Sequence, residues 1–290
     1  MKGAPFTMAV LRPKTVRAAV KTYGRHPDAI PFAGGTDFMV AWNAGELNGR
    51  KVLDLSALGG EWCRIRRGKH SLRIGALASH WQLQKHPLVQ KEFPLLVQAC
   101  ATVGGIQIQI RGTLGGNIAN ASPAGDTFPP LSVYEAIVHT VSSQGSRSIP
   151  IGEVFTGVKE TCLRQAELIE GIELPFLRTR PTRQVFRKVG TRAASAISKT
   201  VAAGLLWLRR DGRIRELRFA LGSMAPTVRR LRKVEAFVEG KKPTRRVLDQ
   251  AGELLEEEVS PIDDIRSTAE YRLEVSRNLL RWFLNPSVVG

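Results

Sequence analysis

The stretch RGTLGGNIANASPAGD, residues 111–126, decides how this chain is organised. Gly112, Gly115, Gly116 and Gly125 stand among Thr113, Asn117, Asn120 and Ser122, and no charge falls between Arg111 and Asp126. A glycine costs about 1 kcal/mol in a helix interior, so four of them here predict a loop rather than a helix. The residues just before it alternate apolar and polar at Ile106, Ile108 and Ile110, which predicts a strand. Glycine lets the backbone turn with positive φ and come close to a ligand, so that successive N–H groups can face phosphate oxygens. The reading is a phosphate-cradling turn after a strand. A tight loop capping a sheet is the alternative, because a single Gly-Gly is a weak motif.

A second turn with the same plan lies near the N-terminus, where Pro31, Phe32, Ala33, Gly34, Gly35, Thr36, Asp37 and Phe38 follow Ile30. Two such turns in one chain suggest one diphosphate held from two sides. Neither is a Walker A loop, since neither Gly35 nor Gly116 is followed by Lys-Ser or Lys-Thr. Neither gives the GxGxxG of a dinucleotide-binding Rossmann turn.

At 290 residues and 43% hydrophobic content, the chain is long enough for two domains with a packed core. No apolar run reaches the roughly 18 to 20 residues that span a bilayer, and MKGAPFTMAVLRPKT lacks the apolar core of a signal peptide, so a cytoplasmic protein is expected. Cys63, Cys100 and Cys162 are odd in number and far apart, which fits reduced thiols. A net charge of +17 hints at a polyanionic partner. No nucleic-acid-binding fingerprint accompanies it, so nucleic acid is not expected, and the charge is read as a solvated face or as a match to an acidic partner.

The periodicities predict a helix from about residue 14 to Gly24, strands at 52–55 and 72–76, a helix opened by Ser79, and helical turns across 88–100 broken at Pro94. His80 and His86, six residues apart, fall on different helix faces and are expected at or near the surface, not in one metal site. Strands follow at 136–142, 148–151 and 168–174. The basic, proline-punctuated RTRPTR (178–183) marks a domain boundary. Beyond it come strands at 185–189, 201–208 and 214–220, the last two joined through Asp211-Gly212, a strong hairpin signal. Helices are expected at 228–238, 244–259 and 269–284. Strands followed by a run of helices argue for an α+β fold with a first domain at 1–177 and a second at 178–290.

Four motifs in series carry a resemblance: PFAGGTDF (31–38), TLGGN (113–117) with ASPAGD (121–126), FRKVGTRAASAIS (186–198) and FALGSMAPTVRR (219–230). Together they resemble the FAD-binding medium subunit of the molybdenum hydroxylases, the xanthine dehydrogenase and carbon monoxide dehydrogenase group. The resemblance covers nearly the whole chain. It implies a two-part FAD-binding domain followed by a small antiparallel sheet backed by helices, with the flavin doing the redox work and no catalytic side chain on this polypeptide.

It also implies partners: a large molybdopterin-binding subunit, a small subunit with two [2Fe-2S] clusters, and NAD⁺ or another acceptor. Relatives that hold an iron-sulfur cluster on this subunit need about four cysteine ligands, more than the three present. By the same resemblance, residues 31–38 would wrap the pyrophosphate through the amides of Ala33 to Thr36. Thr113, Leu114, Gly115, Gly116 and Asn117 would complete the cradle, and Asp126 would accept from ribose or ribityl hydroxyls. Ile197 would cover the isoalloxazine, and Arg215 would be a basic flavin contact. Two positions depart from the family: Gln109-Ile110 where relatives often show Arg-Asn, and Val103 where an aromatic can stack on adenine. Asp126 and Asp37 could instead cap the helices that follow them, and Ile197 could be core. A free-standing FAD oxidoreductase and a cofactor-free, polyanion-binding subunit are the competing functions.

Overall fold

The structure, a computed structural model, describes residues 8–193 and 195–285; the N-terminal stretch read for a leader lies partly outside them. Its first unit is β1 (Ala9–Leu11), α1 (Val16–Arg25), β2 (Ile30–Phe32), α2 (Phe38–Ala44) and β3 (Lys51–Asp54), with the strands parallel in the order β1-β3-β2. Thr15 caps α1 by accepting from the amide of Ala18 at 3.1 Å. Ala19, Leu53, Leu55 and Trp62 fill the small core beneath.

The chain then passes α3 (Gly59–Trp62) into β4 (Ile65–Arg67) and β5 (Ser71–Gly75), and five helices follow. They are α4 (His80–Lys85), α5 (Pro87–Glu92), α6 (Pro94–Thr102), α7 (Ile106–Arg111) and α8 (Leu114–Asn120). After them come α9 (Phe128–Val133), β6 (Ile137–Ser142), β7 (Gly145–Pro150), α10 (Ile151–Val154), the small pair β8 (Phe155–Gly157) and β9 (Glu160–Thr161), and β10 (Leu168–Pro175). Five of these strands form one antiparallel sheet, β4-β5-β10-β6-β7. Alternate residues of it, Leu72, Ile74, Val138, Ile172 and Leu174, meet Leu83, Leu95, Leu96 and Leu131 from the helices.

Two expectations fail here, each for a packing reason. The Ile-Gln-Ile-Gln-Ile run is the helix α7, not a strand. Its buried residue is Gln109, which donates to the Ala101 carbonyl at 3.0 Å and accepts from Gln84 at 3.0 Å, while Ile106, Ile108 and Ile110 are exposed. The glycine-rich stretch also begins with a helix, α8, capped by Thr113. A Cβ on Gly115 would lie 2.6 Å from that of Ala76, so only glycine lets α8 pack this close. Fully burying Leu114 and Ile118 contributes about 1.5–3 kcal/mol each, enough to offset the low helix propensity of two glycines.

The stretch 178–183, where the boundary was read, lies between β10 and the first residue of β11 (Arg183–Val189). β12 (Thr200–Leu208), β13 (Ile214–Gly222) and β14 (Arg229–Arg230) complete a four-stranded antiparallel sheet in chain order, with Gly212 at φ 80° in the expected hairpin. The helix expected from 228 starts only at α11 (Arg232–Val238), because Arg229 and Arg230 pair with Leu221 and Ala220 as β14. α12 (Arg245–Glu258) and α13 (Ala269–Leu284) are capped by Thr244 and Thr268.

Alternation along β12 joins the two halves. Ala203, Leu205 and Trp207 belong to the core of the five-stranded sheet and its helices, while Ala202 and Leu206 face Leu248, Leu255, Leu280 and Phe283. β12 is therefore buried on both sides, and it packs the C-terminal half against the first. No helix among the described residues is long and apolar enough to cross a membrane.

Candidate functional site

The chain leaves the carboxyl end of β2 through residues 33–37, and Gly35 turns it at φ 75°. Phe32 holds this turn from behind: a Cβ on Gly35 would lie 2.6 Å from its ring, and Phe38 meets the same ring edge-on at 5.1 Å. On the other side the turn touches the second glycine segment. A Cβ on Gly34 would fall 2.0 Å from the Arg111 carbonyl oxygen and 3.0 Å from Cα of Gly112. The two glycine turns, 78 positions apart from Gly34 to Gly112, are thus in direct backbone contact.

Beside that contact opens a cleft of ≈ 360 Å³, lined by Ala33 and Gly34 from the first turn and by Ile110, Arg111 and Thr113 from the second. Ser56, Gly59, Cys63 and Leu77 form one wall, and Ser79, Trp81 and Gln82 at the start of α4 form another. α4 is set by a capping box in which Ser79 and Gln82 each accept the other's backbone N–H. Arg111 is exposed and forms no ion pair among the described residues.

The amides of the two turns differ. Those of Gly34, Gly35 and Thr36 donate to no acceptor among the described residues. Those of Leu114, Gly115, Gly116 and Asn117 are taken by Ala78 O, Ala76 O, Thr113 Oγ1 and Thr113 O. Consecutive free amides beside an unpaired arginine suit an anion. The conformation also excludes side chains at Gly34 and Gly35, so the cradle fits a diphosphate approached along bare backbone.

The remaining expected residues separate. Pro31 and Phe32 end β2; Phe32 and Phe38 line an apolar groove of ≈ 220 Å³ with Met39 and Trp42 instead of the cleft. Asp37 is exposed at the N-cap position of α2 but makes no side-chain cap bond. Asn117 accepts from the Thr127 hydroxyl at 2.6 Å. Asp126 does not cap α9; it is buried, and Lys188 of β11 donates to its Oδ2 at 2.6 Å and to the Thr102 carbonyl at 2.9 Å. Burial pushes its carboxyl up to about 6 although Lys188 pulls the other way, and its Oδ1 is left an acceptor without a donor. Ile197 is exposed in the loop after β11, where Ser195 reaches back to the Gly104 carbonyl at 3.3 Å. Arg215 is at the far end of the second sheet, donating to Thr179 Oγ1 at 2.7 Å. His80, expected near the surface, is buried beside Gly112, and burial drives its imidazole down to about 4.

Sequence reasoning missed Arg111, Trp81, Ser56 and Cys63 as cleft residues. Only Arg111 carried a signal, as the sole charge at the head of the second glycine stretch.

Residues 5–177 match the family profile of the FAD binding domain in molybdopterin dehydrogenase. The chain belongs to that family. Residues 185–287 match the CO dehydrogenase flavoprotein C-terminal domain. Its cofactor is FAD, and its relatives are flavoprotein subunits of xanthine and CO dehydrogenase-type oxidoreductases. The glyceraldehyde dehydrogenase medium chain of Sulfolobus acidocaldarius is 28% identical over 95% of this chain and 96% of its own. A putative xanthine dehydrogenase FAD-binding subunit of Escherichia coli is 27% identical over 96% and 95%. The carbon monoxide dehydrogenase of Hydrogenophaga pseudoflava, solved without the Mo-pyranopterin moiety of its cofactor, superposes with a TM-score of 0.89 at 26% identity, covering 96% of each chain.

Proposed function

We propose that this chain is the electron-transfer flavoprotein subunit of a molybdenum hydroxylase, taking electrons from [2Fe-2S] clusters of a small partner and passing them to NAD⁺ or another acceptor. A large molybdopterin-binding partner would oxidise the substrate. The observation that carries the reading is that Gly34, the first of three successive amides without an acceptor among the described residues (Gly34, Gly35 and Thr36), lines one cleft together with Arg111. These amides and the Arg111 guanidinium would hold the diphosphate of FAD, with Ala33 and Thr113 at its flanks. Asp126 would take a sugar hydroxyl through its free Oδ1. Ile197 would cover the ring system from the C-terminal part. When bound, FAD supplies a carrier that takes electrons singly and releases them in pairs.

The chain itself binds, orients and shields; none of its side chains need exchange a proton with substrate. A diphosphate grip separates FAD from riboflavin, which lacks that group. Equilibrium titration should show FAD bound at least about a hundredfold more tightly than riboflavin, with Arg111→Ala removing about tenfold of that difference. Equal affinities for the two would refute the reading, and so would a colourless protein that takes up no FAD.

A further inference from the structure

Three segments remote in sequence meet at the hairpin end of the second sheet. The turn of residues 209–213 is closed by the Arg209 amide on the Arg213 carbonyl at 2.8 Å, and Arg213 donates to the Gly240 carbonyl at 3.0 Å. The segment from 240 pairs there, with Ile214 donating to Lys241 O and Gly240 donating to Ile214 O, each at 2.8 Å. The segment 178–182 lies alongside, tied by Arg215 and Trp207 to Thr179 and by Leu208 to Thr182.

These segments bring together Arg178, Arg180, Arg209, Arg210, Arg213, Arg215, Lys241, Lys242, Arg245 and Arg246, against one carboxylate of their own, Asp211. Lys241 rests on the Phe237 ring; the other nine cations are exposed. Among the described residues the only ion pair these ten make is Arg213 with Asp211 at 3.3 Å. Ten cations against one carboxylate account for more than half of the chain's +17. Several arginines elsewhere are matched: Arg218 by Glu216 and Glu135, Arg230 by Glu235, Arg272 by Asp264. This end is therefore a fixed, uncompensated field. β12 carries nine residues, about 27 Å at roughly 3.3 Å each, and separates it from the loop after β11, which meets Gly104.

The geometry points to this end as a docking surface for a carboxylate-rich face of a protein partner, distinct from the flavin cleft. Eight of the ten are arginines, whose planar fork pairs bidentately with carboxylates. The exposed residues of the three segments include no large apolar side chain to enter a bilayer and no aromatic on which a base could stack. The backbone bonds above hold the three segments together before any partner arrives, so the positive field is already assembled, which favours steered association.

The test uses the full chain with three probes at one ionic strength: poly-L-glutamate, duplex DNA, and vesicles of phosphatidylcholine with phosphatidylglycerol. One variant reverses Arg209, Arg210, Arg245 and Arg246 to Glu. A control reverses the exposed Arg64, Arg66, Lys69 and Lys91, removing the same charge elsewhere. Polyglutamate should bind more tightly than either other probe, and the hairpin-end variant should weaken it by about tenfold while the control changes it by less than about threefold. Both variants should take up FAD as the parent does, which separates this surface from the flavin reading. Equal losses in variant and control, or tighter binding of DNA or vesicles than of polyglutamate, would overturn the proposal.

Discussion

The two glycine turns share letters and differ in physics. In AGGT, residues 33–36, glycine is needed because the backbone turns at positive φ and lies against the Arg111 carbonyl, and the amides stay free. In TLGG, residues 113–116, glycine is needed because a helix packs on Ala76, and every amide from Leu114 to Asn117 is satisfied inside the protein. One glycine pair holds a site open, and the other closes a core. A Gly-Gly motif thus says that a side chain is unwelcome, without saying what excludes it.

The sharpest way to break this contrast is Gly34→Ala. Its Cβ would meet backbone at 2.0 Å, so the turns must part. Flavin binding should be lost and the melting temperature should fall, by an overpacking cost of about 3 kcal/mol. Protein purified with full flavin and unchanged melting would deny that the turns are in contact.

Acid should act on the second turn through His80. Its imidazole is held below its ordinary 6.5, at about 4, so the stability of the neutral form is complete above pH 6.5 and is lost as pH falls through about 4. The loss is roughly 3 kcal/mol, and His80→Leu should flatten it in denaturant titrations at pH 7, 5 and 4. Asp126, raised from 3.8 to about 6, acts oppositely: its contribution is present below pH 3.8 and is lost as pH rises through about 6. Asp126→Asn should therefore steepen the net acid loss, since it removes the compensating term.

Gly115→Ala should cost about 1–3 kcal/mol through the Ala76 contact, offset by about 1 kcal/mol of helix propensity. Its FAD affinity, measured on the folded protein, should stay within about threefold of the parent. A large loss of affinity with little loss of stability would mean that the second turn is the donor set after all. Thr113→Ala, which removes the cap on Gly116, should cost about 1 kcal/mol by thermal melting.

What could be read from the sequence was what local chemistry dictates. Asp211-Gly212 made the hairpin, the last two helices lie where their periodicity put them, and Ser79 opened α4. Readings failed where a distant partner set the outcome. Glycines were counted against a helix because Ala76, 39 positions upstream of Gly115, is not a neighbour in sequence. Alternating isoleucines suggested a strand, yet the residue that the fold buries is Gln109. The family resemblance implies a flavin contact for Arg215, a residue outside the four motifs, and strand register places it at the hairpin end of the second sheet, away from the loop after β11. The pairing of Asp126 with Lys188, 62 residues on, had no local trace.

The central claim is that residues 34–36, and not Leu114 to Asn117, offer unpaired amides to the diphosphate, and amide NMR of ¹⁵N-labelled protein during an FAD titration tests it residue by residue. The resonances of Gly34, Gly35 and Thr36 should move downfield by more than those of any residue from Leu114 to Asn117, and should gain protection from solvent exchange. Movement confined to residues 114–117, with the amides of 34–36 unchanged, would contradict it.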